Sequence, residues 1–225
     1  MASGQRSAVS LQPAGSEEIV VIGGGGHAKV VIGILRKISS YRLLGYTDLE
    51  DRGIVLDAVY LGSDDKMSTQ FATKRDLSAL LAIGQVGLGK FRSEVWSRVK
   101  SPRLSFPTIA SPDAVVNEQV SCAGGVVVMD GAVINPGAQI GFGAIINTNS
   151  TIEHDVELAD WVHVAPGATI SGGVKVGRFS MIGAGATVIE GRKIAEGCVV
   201  GAGATVVDDL GESGVYVGCP ARRIK

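Results

Sequence analysis

The chain has 225 residues, of which 45% are hydrophobic, with 21 basic and 22 acidic side chains and a formal net charge of −1. That length and apolar content suffice for a core in one large or two small domains, and the near-neutral charge lacks the excess of Lys and Arg that nucleic acid or anionic lipid requires, leaving small molecules as the expected ligands. No apolar run reaches the ~20 residues of a membrane span, "MASGQRSAVSLQPAGSEE" lacks the apolar core of a secretory signal, and Cys122, Cys198 and Cys219 show no metal-type spacing, so a soluble, cytoplasmic protein with small buried cysteines is expected.

Residues 1–17 read as a flexible lead-in. "EEIVVIGGGGHAKVVIGILRKI" then gives strand, glycine loop and helix; "YRLLGYTD" a second strand; "SDDKMSTQFATKR" a helix opened by Ser63, Asp64 and Asp65; "LSALLAIG" a third strand; and "FRSEVWSRVK" a further helix. Alternating strands and helices predict a small, Rossmann-like parallel sheet over residues 18–107. "GGGGHA" matches the dinucleotide fingerprint, with Gly23, Gly25 and Ala28 at its glycine positions, and Asp48 ends the next strand, where an acid grips a ribose. Alone, this pattern suggests an NAD-binding oxidoreductase. About three such strands make only half of a dinucleotide fold, so a mononucleotide fits better. Glycine amides and a helix N-terminus cradle a diphosphate whatever hangs from it. The plain alternative is a tight turn without a ligand, although four consecutive glycines plus His27 make a costly loop if nothing binds there.

"SPRLSFPTIASPDAVV", with three prolines, leads into a second domain over residues 108–225. From Val128, steps of six reach Ile134, Ile140, Ile146, Ile152, Leu158, Val164, Ile170, Val176, Ile182, Val188, Ile194, Val200 and Val206, fourteen aliphatic residues without a break. Two residues before each stands a residue that is usually small or β-branched, Arg192 and Cys198 being the departures. A six-residue period fits neither an α-helix nor strand alternation; it predicts a parallel β-helix of hexapeptide repeats, three short strands to a coil, with glycines at corners of positive φ. Coils stacked at the ~4.8 Å strand spacing satisfy each other's backbones.

Taken together, "IGGGGHAKVVI", "YTD", "AIG", "NTNSTIEHD", "VHVAPGATISGGVKVG", "IGAGATV" and "GVYVGCPARR" resemble the bacterial nucleotide-linked amino-sugar N-acetyltransferases of the bacillosamine type and their sialic acid O-acetyltransferase relatives, over residues 19–225. The resemblance implies a homotrimer of left-handed β-helices, acetyl-CoA as co-substrate between neighbouring helices, no metal, and a nucleotide sugar on the N-terminal domain. It assigns Gly24, Gly25, Gly26, His27, Thr47, Asp48 and Gly84 to the nucleotide sugar; Asn147, His163, Gly172, Ala184 and Ala202 to acetyl-CoA; and His154 and Asp155 to catalysis, with His154 as general base. The family usually has Glu at the position of Asp155, and Glu153 is a second possible partner for the imidazole.

The hexad register offers an independent check. His154 and Gly172 each lie two residues after an inward aliphatic, eighteen residues apart, so they stack on one edge; Ala184 and Ala202 stack in the same way on another. Two edges of one prism face a single groove only if a second subunit supplies one of them. An imidazole titrating near ~6.5 suits a base that takes the proton of an attacking amine at neutral pH. Sialic acid O-acetylation uses the same donor and fold. A β-helix carbonic anhydrase needs three histidines on zinc, whereas only His154 and His163 lie in the helix. Phe142 and Trp161 are expected as corner packing rather than base-stacking platforms.

Overall fold

The computed structural model describes residues 16–64, 77–88 and 90–225. The helix expected at residues 63–75 falls almost wholly outside them. The first domain runs β1 (Glu17–Ile22), α1 (Gly26–Leu35), β2 (Tyr41–Thr47), β3 (Leu77–Leu81), α2 (Lys90–Val99) and β4 (Leu104–Ser105). Among the described residues its sheet has four strands, all parallel, in the order β2-β1-β3-β4. β4 is the strand that sequence reasoning missed, two residues inside the proline-rich passage.

Both faces of the central strands are covered, which explains their unbroken apolar runs. Ile19 and Val21 pack with Val31, Ile32 and Leu35 of α1, while Val20 and Ile22 pack with Val95 and Val99 of α2. The loops following β1 and β3 leave the sheet side by side. In open α/β sheets this crevice, at the carboxyl ends of the central strands, is where ligands bind.

The second domain is a parallel β-solenoid. Its first coil is β5 (Ile109–Ala110), β6 (Val115–Val116) and β7 (Ser121–Cys122), and later strands as far as Thr205 pair in parallel with the equivalent residues of the coil before. Three sheets of eight, six and five strands result, called here the β5, β6 and β7 faces. All fourteen hexad aliphatics from Val128 to Val206 are at most 3% exposed and form one core. The solenoid begins a coil earlier than that aliphatic run, because Ala110, Val116 and Cys122 occupy the same inward positions.

The corners follow the same period. Every sixth residue from 119 to 203 has positive φ, ten of them glycine and five not: Gln119, Asn149, Asp155, Trp161 and Phe179. A non-glycine residue there costs of order 1 kcal/mol or more, so something must hold each in place. Trp161 is held by an aromatic cluster, its ring 5.3 Å from Phe142 and 6.0 Å from Trp96 of α2. Phe142 and Trp161 are therefore packing residues, as expected.

That cluster is half of the domain junction. On the β5 face, Ile109, Val127, Met129 and Ile145 share a core with Val31, Ile34 and Leu35 of α1. Lys37 Nζ adds ion pairs to Asp113 (2.7 Å) and Asp130 (2.8 Å). Of the free cysteines, Cys198 is buried and Cys122 half-buried, but Cys219 is exposed in the C-terminal turn, so the expectation of a buried apolar residue fails there. Among the described residues no helix is long and apolar enough to cross a membrane.

Candidate active site

After Thr151–Ile152 on the β6 face, the chain turns through Glu153–Asp155 toward the β7 face. His154 Nδ1 lies 2.9 Å from Asp155 Oδ2, so the imidazole pairs with its neighbour and not with Glu153. Asp155 has φ 57°, a conformation that Asp tolerates better than Glu because its short polar side chain bonds locally. It rests over Gly137, where a Cβ would come within 2.5 Å of Asp155 Oδ1. With Nδ1–H donating to the carboxylate, Nε2 carries the free lone pair.

Both side chains are open to solvent, at 58% and 73% exposure. The hydrogen bond to Asp155 raises the His154 pKa above its ordinary value; it outweighs a loss of hydration and is reinforced by the charges of Asp155, Glu153 and Glu190. One coil further on, the ring lies against Gly172. A Cβ on Gly172 would stand 2.6 Å from both Cε1 and Nε2, so glycine is required by the closeness of the imidazole.

Gly172, Ala184 and Ala202 share a hexad position with Pro136 and Pro166. Proline is tolerated there because the backbone ladder between coils makes no use of that N–H. Among the described residues, the N–H groups of Gly172, Ala184 and Ala202 donate no backbone hydrogen bond, which leaves them available to a ligand. Gly172 shares the β6–β7 edge with His154. Ala184 and Ala202 are exposed on the β5–β6 edge, joined by the Gly203 N–H donating to the Ala184 carbonyl (2.9 Å). The two groups flank the β6 face from opposite sides and do not meet within one chain.

A second constellation lies at the crevice of the parallel sheet. Gly24 donates its N–H to Asp48 Oδ2 (2.8 Å), and a Cβ there would be 2.4 Å from the Tyr46 ring. Gly25 caps α1 without a side-chain hydrogen bond, no acid occupies the first turn, and Cβ atoms on Gly25 and Gly26 would meet nothing within 4 Å. This is an uncapped helix N-terminus with room in front of it, the arrangement that takes up phosphate oxygens. Partial burial works against the Asp48 carboxylate, but the Gly24 N–H and Arg52 hold its pKa below the ordinary value. The exposed Gly84, after β3, abuts the glycine loop: a Cβ there would be 3.5 Å from His27 Cβ. Gly24, Gly25, Gly26, His27, Asp48 and Gly84 thus come together. Thr47 lies beneath them, buried, its Oγ1 donating to Asp64 Oδ1 (2.7 Å).

His163 and Asn147 have their polar atoms engaged inside the chain. His163 Nδ1–H donates to the Gln85 carbonyl (3.1 Å), which leaves Nε2 to accept from Asn147 Nδ2 (3.0 Å), and Asn147 Oδ1 takes the Thr148 N–H (2.8 Å). Only 6% exposed, His163 has its pKa pushed down to about 4 by burial and then by the charge of Arg92, against the pull of Gln85. These residues fasten the loop after β3 to the β5 face. Gln85 and Arg92 were not singled out from sequence; Gln85 carried no signal beyond following the third strand. His27 and His163 approach each other beside Arg92 while His154 stands apart, and among the described residues no three His, Cys, Asp or Glu side chains gather as a metal site.

A parallel sheet with a glycine loop at its crevice, joined to a solenoid carrying a histidine–carboxylate pair on one edge, defines a two-domain acyltransferase of the hexapeptide class. Residues 18–98 match the family described as PglD N-terminal domain, and residues 137–172 match bacterial transferase hexapeptide (six repeats). The structure is similar to PerB from Caulobacter crescentus in complex with CoA and GDP-perosamine, at 35% identity, 92% coverage of this chain, 97% of that one, and a TM-score of 0.85. It is also similar to the acetyltransferase domain of PglB from Neisseria gonorrhoeae, at 29% identity, covering 92% and 100% of the two chains with a TM-score of 0.85. WeeI from Acinetobacter baumannii, 22% identical with a TM-score of 0.79 over 93% of this chain and all of its own, shares the fold. A comparison with curated proteins finds no match. The chain belongs to the PglD-type nucleotide-amino-sugar N-acetyltransferases, in which a PglD N-terminal domain precedes hexapeptide repeats.

Proposed function

We propose that this protein transfers the acetyl group of acetyl-CoA to the amine of a UDP-, dTDP- or GDP-linked amino-deoxy sugar, in a cytoplasmic step of surface-glycan synthesis. Residues 18–107 hold the nucleotide sugar and residues 108–225 carry the transfer chemistry. The observation that carries this reading is His154 with Nδ1 fixed by Asp155 and Nε2 free above Gly172, on a solenoid bearing unused edge amides. Relatives support it: PerB was solved with CoA and GDP-perosamine, and the PglB domain with acetyl-CoA.

In the reaction the sugar amine attacks the thioester carbonyl and forms the C–N bond, His154 Nε2 takes the amine proton, and Asp155 stabilises the resulting imidazolium. The developing oxyanion is met by the unused N–H of Gly172. As the C–S bond breaks, the imidazolium returns the proton to the CoA sulfur. The uncapped end of α1, with Gly24, Gly25 and Gly26, cradles the diphosphate; His27, Asp48 and Gly84 line the rest of that site with Thr47 beneath them, and Asn147 and His163, joined to each other, serve acetyl-CoA together with Gly172, Ala184 and Ala202.

The working unit is a homotrimer. The β5 face is covered by the first domain. The β7 face carries Gln139, Glu157, Lys175 and Lys193 outward, whereas the β6 face presents Val115, Val133, Thr151, Thr169, Thr187 and Thr205, an uncharged row that no element covers among the described residues. Packing β6 faces about a threefold axis brings the His154–Gly172 edge of one chain against the Ala184–Ala202 edge of the next, with acetyl-CoA between them.

The test is a thiol-release assay with acetyl-CoA and a panel of UDP-, dTDP- and GDP-linked amino sugars, with free sialic acid as a hydroxyl acceptor. Turnover is expected on a nucleotide amino sugar and should fall by about 10²- to 10⁴-fold in His154→Ala, the usual loss for a general base. Acetylation of sialic acid with no turnover on any nucleotide amino sugar would overturn the reading.

A further inference from the structure

An anomalous charge lies at the junction of the two domains. Arg92, the third residue of α2, is 1% exposed, yet Nε, Nη1 and Nη2 all lack a hydrogen-bond partner. Its guanidinium sits over the Trp161 ring, 5.5 Å from the centroid. Buried arginines are ordinarily paired, because an uncompensated buried charge is strongly destabilising. Among the described residues no carboxylate compensates it: α2 has no acid in its first turn, and burial pulls the Arg92 pKa down to about 9. A cation in the first turn of a helix also opposes the helix dipole.

The groups facing this charge add no anion. From α1 comes His27, its Nε2 buried without a partner and its pKa lowered to about 3 by burial, then by Arg92 and by His163. The loop after β3 brings Gln85, whose Oε1 is likewise buried and unpartnered. The solenoid contributes the neutral His163 and the Trp161 face. Next to them is the uncapped, positive end of α1. Arg92 and the open end of α1 thus make one region electropositive, with no counter-ion to Arg92 among the described residues. Charge imbalance of this kind persists at functional sites, where a ligand completes it.

We propose that Arg92 is the buried counter-charge for the diphosphate of the nucleotide sugar, a positioning residue that draws the anionic linker onto the glycine loop through space without touching it. This rests on the nucleotide-sugar reading above. It assigns Arg92 to recognition of the diphosphate, common to every nucleotide sugar, and not to the base or the sugar.

The test uses the full chain as wild type, Arg92→Lys and Arg92→Met, with GDP and UDP as probes, the matching monophosphates as lower-charge controls, and acetyl-CoA as a control for the solenoid edge. Arg92→Met should melt at or above the wild type without ligand, because an uncompensated charge has gone, yet gain less from GDP or UDP. Its diphosphate affinity should fall about tenfold, that for monophosphates less, and that for acetyl-CoA not at all, while Arg92→Lys keeps most of the binding. Arg92→Met that fails to fold or melts well below the wild type makes the guanidinium structural and overturns the proposal. So does a stable Arg92→Met with undiminished diphosphate binding. A wild type that binds no nucleoside diphosphate defeats instead the reading of the glycine loop as a nucleotide site.

Discussion

Replacing Gly172 by alanine separates the chemistry of the edge from the stability of the solenoid. The new Cβ would stand 2.6 Å from His154 Cε1 and Nε2, where ordinary contact begins near 3.4 Å, so the ring must retreat by roughly 1 Å. The backbone has no reason to move: Gly172 is not a positive-φ corner, and the clash is with the tip of an exposed side chain free to rotate. A misplacement of ~1 Å costs about a hundredfold in rate, equivalent to about 2.7 kcal/mol of transition-state stabilisation. Meanwhile Gly→Ala at a compatible backbone position adds about 0.4–1 kcal/mol of stability by restricting the unfolded chain. Gly172→Ala should therefore melt at or slightly above the wild-type temperature by circular dichroism and show kcat reduced about a hundredfold in the thiol-release assay. A variant with kcat within a few-fold of wild type would refute the requirement for an imidazole seated on this glycine. A raised KM for acetyl-CoA at unchanged kcat would move Gly172 from the chemistry to donor binding.

Asp155 raises the His154 pKa, and a base works only when neutral, so the acid limb of the kcat profile should lie above the ordinary histidine value of 6.5; Asp155→Asn should move it to lower pH and lower the plateau, and an unmoved limb contradicts the pairing. His163 and His27 behave oppositely: the unfolded chain takes up their protons near 6.5 while the fold resists until about 4 and about 3, so stability is intact above 6.5 and is lost as pH falls through that window. His163 alone accounts for roughly 3 kcal/mol of that loss at 1.36 kcal/mol per pH unit, and His163→Gln should flatten the decline in urea midpoints between pH 6.5 and 4 without abolishing it. Thr169→Lys introduces a charge into the uncharged β6 row and should yield monomers by light scattering together with lost turnover; a fully active monomer would show that one chain holds a complete site.

The sequence by itself determined the solenoid and its edges. Each inward aliphatic packs against the residues one coil away, so the rule for every hexad is nearly the same and is written at a fixed period from Val128 to Val206. The stacking of His154 on Gly172 follows from that register, and the glycine loop is legible because only glycine suits the approach of Gly24 to Tyr46. What the period could not carry was decided by contacts between segments far apart in the chain. The first coil is masked by Ala110 and Cys122 at inward positions, and the five non-glycine corners fall where glycine statistics are silent. Asp155, not Glu153, holds the imidazole because the corner at 155 turns its short carboxylate back onto Nδ1. The bond of His163 to the Gln85 carbonyl 78 residues away is invisible to any local pattern, and Arg92, ordinary in a helix of mixed polarity, becomes a buried cation without a hydrogen-bond partner among the described residues when α2 docks on Trp161. Local repetition encodes a shape, but whether a polar group faces solvent, a partner or a ligand is set by which distant surface closes over it.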